Sequence, residues 1–225
     1  MRLSVILRIM VIISTLMATW FFTHIYFNRT GKTISVRGYL GFSSRITKEK
    51  TSRNKCDNSK KCPKDFFAFK ITSGAANVVG PSICFEDNIL MSGVKNNIGR
   101  GLNIALVDGA TGVLKKHEYF DMFSGDIDPL LTFLKEIPEK TLVLVASYDD
   151  PASKLNPEAR KLLTALGSTY AESVSFRDSW VFLGAKDISG KSPFEEILKN
   201  KPQQNKYDGW PEALTVEGCI PHKVI

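Results

Sequence analysis

The chain has 225 residues, of which 43% are hydrophobic and 24% charged, with four cysteines and a formal net charge of +7. The charge is uneven: residues 29–64 hold eleven Lys/Arg against Glu49 and Asp57, whereas 65–225 hold 17 basic and 21 acidic residues. The basic balance therefore belongs to an arm and not to the folded body, and no nucleic-acid partner is expected.

Taken in order, Arg2 and Arg8 stand before and beside a run of fourteen uncharged residues, Ile9 to Phe22. That is short for a bilayer crossing and matches the h-region of a signal peptide behind a basic n-region. Residues 1–25 are predicted as a signal peptide whose removal leaves no stable membrane anchor. "THIYFNRT" offers no A-x-A cleavage site, so a signal anchor is the alternative if His24 to Phe27 join the apolar run. Either way the chain enters the secretory pathway, and the expected location is extracellular. Asn28-Arg29-Thr30 is an N-glycosylation sequon, close to the new N-terminus. Residues 26–54 are polar, rich in Ser, Thr, Gly and Lys, without an apolar period. They are predicted as a flexible basic arm, a solvated spacer whose charge suits sulfated glycans or acidic surfaces.

From 55 to 225 a single globular domain is expected, large enough for a real core. Cys56, Cys62, Cys84 and Cys219 are an even set in an exported chain and read as two disulfides, with three connectivities open. No pair has C-x-x-C spacing and the three histidines are far apart, so no zinc site, and no other metal or cofactor, is expected. "FFAFKIT" (Phe66–Thr72) reads as a strand; "LNIALVD", the turn Gly109-Ala110-Thr111-Gly112 and "VLKKHEYFD" read as a hairpin. "SGDIDPLLTFLKEI" carries an apolar face at helical spacing, and "TLVLVASYD" is a strand buried on both faces. "NPEARKLLTALG" is a helix with Asn156 as cap, Pro157 at its first position and Gly167 at its end. "DSWVFLGAK" is a strand, "SPFEEILKN" a helix with Ser192 and Glu195 at capping-box spacing, and "ALTVEGCI" a weaker strand. Interleaved strands and helices give an α/β or α+β fold, and the hairpin argues for a mixed sheet with antiparallel strands.

The stretch "VKNNIGRGLNIALVDGATG" invites a phosphate-loop reading. Gly99-Arg100-Gly101 is followed by Ile104 where a dinucleotide fingerprint has glycine, and the element it opens is a strand. No Gly-Lys-Ser/Thr occurs there, and no helix N-terminus stands ready for a phosphate. The glycines serve the backbone. G-x-S-x-G and H-E-x-x-H are absent. His117 and His222 read as surface residues, and Asp149-Asp150 and Asp126/Asp128 as turn and helix-start residues beside Pro151 and Pro129. No enzyme is expected. "FRDSWVF" places Phe176, Asp178 and Trp180 on one side of a strand, with Arg177 on the other; "KYDGWPE" adds Tyr207 and Trp210. Arg177, Asp178, Trp180, Tyr207 and Trp210 are the candidate binding residues, suited to a sugar ring, with core aromatics and an Arg–Asp pair as the competing reading.

"FAFKITSGAANVVGPSICFED", "MSGVKNNIGRGLNIALVDGATG", "LVLVASYDDPASKLN", "FRDSWVF" and "NKYDGWPEALTVEGCI" closely resemble the secreted, cytokine-like family with sequence similarity 3, the interleukin-like epithelial–mesenchymal transition inducer family. The resemblance runs from Cys56 to Ile220. It implies a compact domain of two mainly antiparallel β-sheets flanked by short helices, not a four-helix cytokine bundle. It also implies the pairings Cys56–Cys84 and Cys62–Cys219, and signalling without catalysis through a cell-surface receptor, for which a G-protein-coupled receptor is a candidate partner. Similar domains attached to glycan-processing enzymes bind sugars, so a glycan is a second expected partner, and a glycan-acting enzyme the remotest reading. One relative carries an extra cysteine where this chain has Leu183; a monomer is expected here.

Overall fold

A computed structural model describes residues 3–29, 53–186 and 188–222. The chain divides into two units, Met1–Thr51 and Ser52–Ile225. In the first, helix α1 (Leu3–Arg29) holds an apolar window of 19 residues, Leu7–Ile25, with mean hydropathy 1.4. At 1.5 Å per residue this reaches about 28 Å, enough by length and composition to cross a membrane. It exceeds the fourteen-residue run because the window takes in Arg8, Thr23 and His24. An apolar helix at this place fits a signal peptide. The arm expected over 26–54 falls largely on 30–52, outside the described residues, as does Thr30 of the sequon.

The second unit begins with a 3-10 turn, Lys55–Asp57. Among the described residues nine strands come after it: β1 (Phe66–Thr72), β2 (Ser82–Phe85), β3 (Asn88–Met91), β4 (Gly101–Asp108), β5 (Leu114–Phe120), β6 (Thr141–Tyr148), β7 (Ser179–Ala185), β8 (Phe194–Leu198) and β9 (Thr215–Pro221). Helix α2 (Asp128–Lys135) lies between β5 and β6, and α3 (Pro157–Ala165) between β6 and β7. Two sheets result, ordered β3-β2-β1-β9 and β5-β4-β6-β7-β8. Every strand pairing is antiparallel. The antiparallel strands expected from the hairpin form, but the parallel pairing a mixed sheet also admits does not occur among the described residues, because neither helix joins adjacent parallel strands. Helix α2 links β5 to β6, which flank β4 on opposite sides, and α3 links the antiparallel neighbours β6 and β7. The fold is two antiparallel sheets with short helices, and no helical bundle.

The layers follow from which strand faces are apolar. One core joins Phe67, Phe69, Ile71, Ile83 and Phe85 of the first sheet to Val107, Leu142, Leu144, Val181 and Leu183 of the second. The other packs Ile104, Val143, Val145, Trp180 and Phe182 against Leu130, Phe133, Leu134 and Leu163 of the helices. Strands β4, β6 and β7 are thus buried on both faces, and read as continuous apolar runs. Each large side chain buried here stabilises by roughly 1.5–3 kcal/mol. Asn156 Oδ1 accepts the Ala159 N–H at 2.8 Å, so α3 starts at the expected cap.

"SPFEEILKN" is a correction: it forms β8, not a helix, and pairs Phe194–Leu198 with β7. Ser192 Oγ donates to the Leu183 carbonyl and accepts from Phe194 N–H, tying the segment to β7 before any helical turn closes. The Glu195 carboxylate accepts from Ser168 Oγ, Thr169 N–H, Tyr170 N–H and Trp180 Nε1. Tertiary partners override the local capping signal.

The disulfides are Cys56–Cys84 and Cys62–Cys219, closing separations of 28 and 157 residues; no cysteine is free.

Candidate functional site

The glycine loop before β4 is structural. Gly101 has φ +102°, and an added Cβ would stand 2.0 Å from the Phe120 carbonyl oxygen and 2.5 Å from Met122 N. Asn103 closes the loop by accepting from Gly99 N–H at 2.9 Å and donating to its carbonyl at 2.8 Å. Arg100 leaves the loop toward Asp121, meeting its two oxygens at 3.2 and 2.8 Å and Ser124 Oγ at 2.8 Å. The guanidinium holds the Asp121 carboxyl well below the usual carboxylate range, with donors from Ser124 and Phe123 assisting against partial burial. Asp121 in turn raises Arg100 above its ordinary value, with the fields of Asp149 and Asp150 adding to it.

Those two carboxylates end β6. Asp149 takes φ +58°, an uncommon conformation for a residue with a side chain. Its Oδ1 accepts the indole N–H of Trp210 at 2.9 Å. Asp150 is fully buried. Its Oδ1 accepts from Ala152 and Ser153 N–H at 3.0 and 3.2 Å, and its Oδ2 has no partner.

Trp210 closes a tight turn, bonded backbone to backbone with Tyr207 at 3.1 and 3.3 Å. Over its ring, 3.8 Å from the centroid, lies the Arg177 guanidinium, which also covers Phe176 at 4.7 Å. Gly209, at φ +84°, permits this approach, since a Cβ there would stand 2.9 Å from an Arg177 terminal nitrogen. Arg177 itself sits at φ +59°, and its Nε is buried without a partner. A guanidinium between two aromatic rings is fixed in plane. Two such positive-φ residues, an unpaired buried Nε and an unpaired buried carboxylate oxygen are features that cluster at recognition sites.

The structure therefore brings together Arg177, Tyr207 and Trp210 of the predicted set. It separates Asp178 and Trp180 from them. Trp180 is fully buried, stacked 5.9 Å from Phe182 and bonded through Nε1 to Glu195 at 2.9 Å. It offers no platform to a sugar. Asp178 is 3% exposed and accepts from Lys199 Nζ, Asn200 N–H and Ser175 N–H at 2.9, 2.8 and 2.8 Å. The expected shared face of Phe176, Asp178 and Trp180 fails because β7 begins only at Ser179, and Arg177 interrupts the extended backbone before it. Asp149 is the neighbour of this cluster that sequence reasoning assigned to a turn; its adjacency to a buried strand end was visible, its reach to Trp210 was not.

Fold and site define a disulfide-braced domain of two sheets and a helical layer, outside the helical cytokine class. A family profile described as interleukin-like EMT inducer matches residues 100–188, the span holding Arg100, Asp149 and Arg177. The chain is 56% identical to protein FAM3D of Mus musculus over 225 residues, covering 100% of both. It is 56% identical to protein FAM3C of Homo sapiens over 187 residues, covering 83% of this chain and 82% of that one. With protein FAM3A of Homo sapiens it shares 50% identity over 226 residues, 99% of this chain and 98% of the other. The chain belongs to this cytokine-like family, whose relatives are named as FAM3 proteins and not as enzymes.

Proposed function

We propose that the protein is an exported, cytokine-like ligand that acts by being bound at a cell surface, without catalysing a reaction, in hormonal or epithelial regulation. The apolar N-terminal helix and two disulfides support export into an oxidising compartment. The observation that carries the reading is Arg177 clamped between Phe176 and Trp210, with Trp210 held by Asp149. Arg, Trp and Tyr are the side chains that most often dominate binding energy, and prior immobilisation lowers the entropy lost on association. A G-protein-coupled receptor is the receptor class put forward. Saturable binding of the secreted chain to responsive epithelial cells tests this. Arg177→Gln and Trp210→Ala are expected to weaken it about 10- to 100-fold, or 1.4–2.8 kcal/mol. Unchanged binding by folded variants sinks the assignment.

A second reading, a carbohydrate ligand at the same place, is favoured by the half-buried Trp210 indole beside Asp149 and the exposed Tyr207. Glycan-array binding lost in Trp210→Ala and kept in Trp180→Phe would support it; an array with no bound sugar would dismiss it.

A further inference from the structure

The positive charge of the described body is concentrated in one short segment. Residues 53–64 carry Arg53, Lys55, Lys60, Lys61 and Lys64 against the single acid Asp57, while 65–225 hold 17 basic and 21 acidic residues. Both disulfides start in this segment, at Cys56 and Cys62, and run to Cys84 and Cys219 on the first sheet. Asn58 donates to the Phe69 and Gly218 carbonyls at 3.2 Å each, and Ser59 N–H to Glu217 Oε1 at 2.7 Å. The lysines thus stand on a backbone bolted to the sheet at four points, not on a free arm. Beside them is a cavity of about 430 Å³ whose walls include Arg53, Lys55, Lys61, Lys64, Cys62 and Phe66. That volume lies within the usual range of about 300–1,000 Å³ for ligand pockets.

Arg53 is paired with Asp57, and Lys55 with Glu86. Lys60, Lys61 and Lys64 are exposed and have no ion pair among the described residues. Three unpaired ammonium groups on a fixed collar attract a polyanion through point charges. Disulfides place the folded chain in an oxidising, exported compartment. Anionic lipid is concentrated on the cytoplasmic leaflet, away from that compartment. We infer that the collar at 53–64 is a binding surface for a sulfated glycosaminoglycan, sharing no residue with the Arg177–Trp210 site, which gathers Asp149 after β6, Arg177 before β7 and Trp210 between β8 and β9.

The test uses the full chain collected from culture medium on immobilised heparin over a salt series. Lys60→Gln/Lys61→Gln/Lys64→Gln is expected to bind about tenfold more weakly at physiological salt, with a log–log salt slope smaller by about 2, taking roughly 0.7 per phosphate-like contact. A control triple at exposed lysines elsewhere, Lys154→Gln/Lys161→Gln/Lys201→Gln, removes the same charge and is expected to change binding less than threefold. Arg177→Gln is expected to elute like the parent, which keeps failure of this inference distinguishable from failure of the receptor reading. The inference is overturned if the collar triple and the control triple behave alike, or if neutralising Arg37, Arg45, Lys48 and Lys50 abolishes retention while the collar triple keeps it. Equal binding to desulfated heparin or to phosphatidylserine vesicles overturns it too.

Discussion

Replacing Trp180 distinguishes a core residue from a ligand platform. Its ring is fully buried, with Phe182 stacked on it and Glu195 on its indole N–H. Trp180→Ala therefore removes an entire core side chain and leaves a void, at about 3–5 kcal/mol. Trp180→Phe keeps most of the ring but deletes one donor. Glu195 retains Ser168, Thr169 and Tyr170, so the cost is about 1 kcal/mol plus any imperfect repacking. With a urea slope of roughly 2 kcal/mol/M, the alanine variant shifts the midpoint of unfolding down by about 1.5–2.5 M. Neither change touches Arg177 or Trp210, so cell binding by the folded fraction stays at the parental level. Trp210→Ala reverses the pattern, costing about 1–3 kcal/mol for a lost cation–π contact and one hydrogen bond to a carboxylate, with binding weakened about 10- to 100-fold. A Trp180→Ala protein that kept its midpoint within about 0.5 M and lost binding would refute the inward placement of this residue, at the slope assumed above.

Breaking Cys62–Cys219 with paired serines should cost about 5 kcal/mol and breaking Cys56–Cys84 about 3.5, by loop-closure entropy over 157 and 28 residues; urea midpoints that rank the two the other way contradict the entropic account. Gly101→Ala should cost at least about 2 kcal/mol and lower secretion yield, because its Cβ meets the Phe120 carbonyl at φ +102°; a yield and midpoint equal to the parent would count against that. Lys70, with Ser59 behind it, holds the Glu217 carboxyl at about 2, down from 4.5. The unfolded chain takes up this proton first, so the contribution is complete above pH 4.5 and is lost as pH falls toward 2. Glu217→Gln should flatten the acid side of the stability–pH curve, and an unaltered curve argues against the pair.

The strands legible in the sequence are those buried on both faces. "LNIALVD", "TLVLVASY" and "SWVFLGA" are continuous apolar runs, and a run of that length leaves little choice. The same property hid the side-chain directions. With both faces apolar, alternation carries no information about which face meets solvent, so a surface role for Trp180 stood beside the commoner core reading, and the structure bears out the core. Strands β2 and β3, four residues each, were unreadable. Their turn uses Glu86 and Asp87 at φ +51° and +65°, not the Asn-Gly signal of a two-residue hairpin. Strand β8 carried a helix-start signal whose Ser192 and Glu195 bond instead to β7 and to residues 168–170. The Arg177–Trp210 site was half legible: residue types announced it, while Asp149 entered through a positive-φ turn that composition does not reveal.

The two cationic surfaces differ in the physics they bring to recognition. Arg177 is partly buried, stacked and oriented, so in the proposed receptor complex its directional N–H edge would discriminate shape and its loss would raise the off-rate. Lys60, Lys61 and Lys64 are solvated point charges, so toward the inferred polyanion they would act over about a Debye length, roughly 8 Å at physiological salt, and mainly set the rate of encounter. A protein recognised at a cell surface, as proposed, would gain from such a division. An acidic body carrying 21 acids against 17 bases from residue 65 onward would be repelled by a sulfated cell surface, unless a short basic collar, clamped by both disulfides, turned one face toward it. On the two proposals together, the collar would supply proximity and the stacked arginine selection.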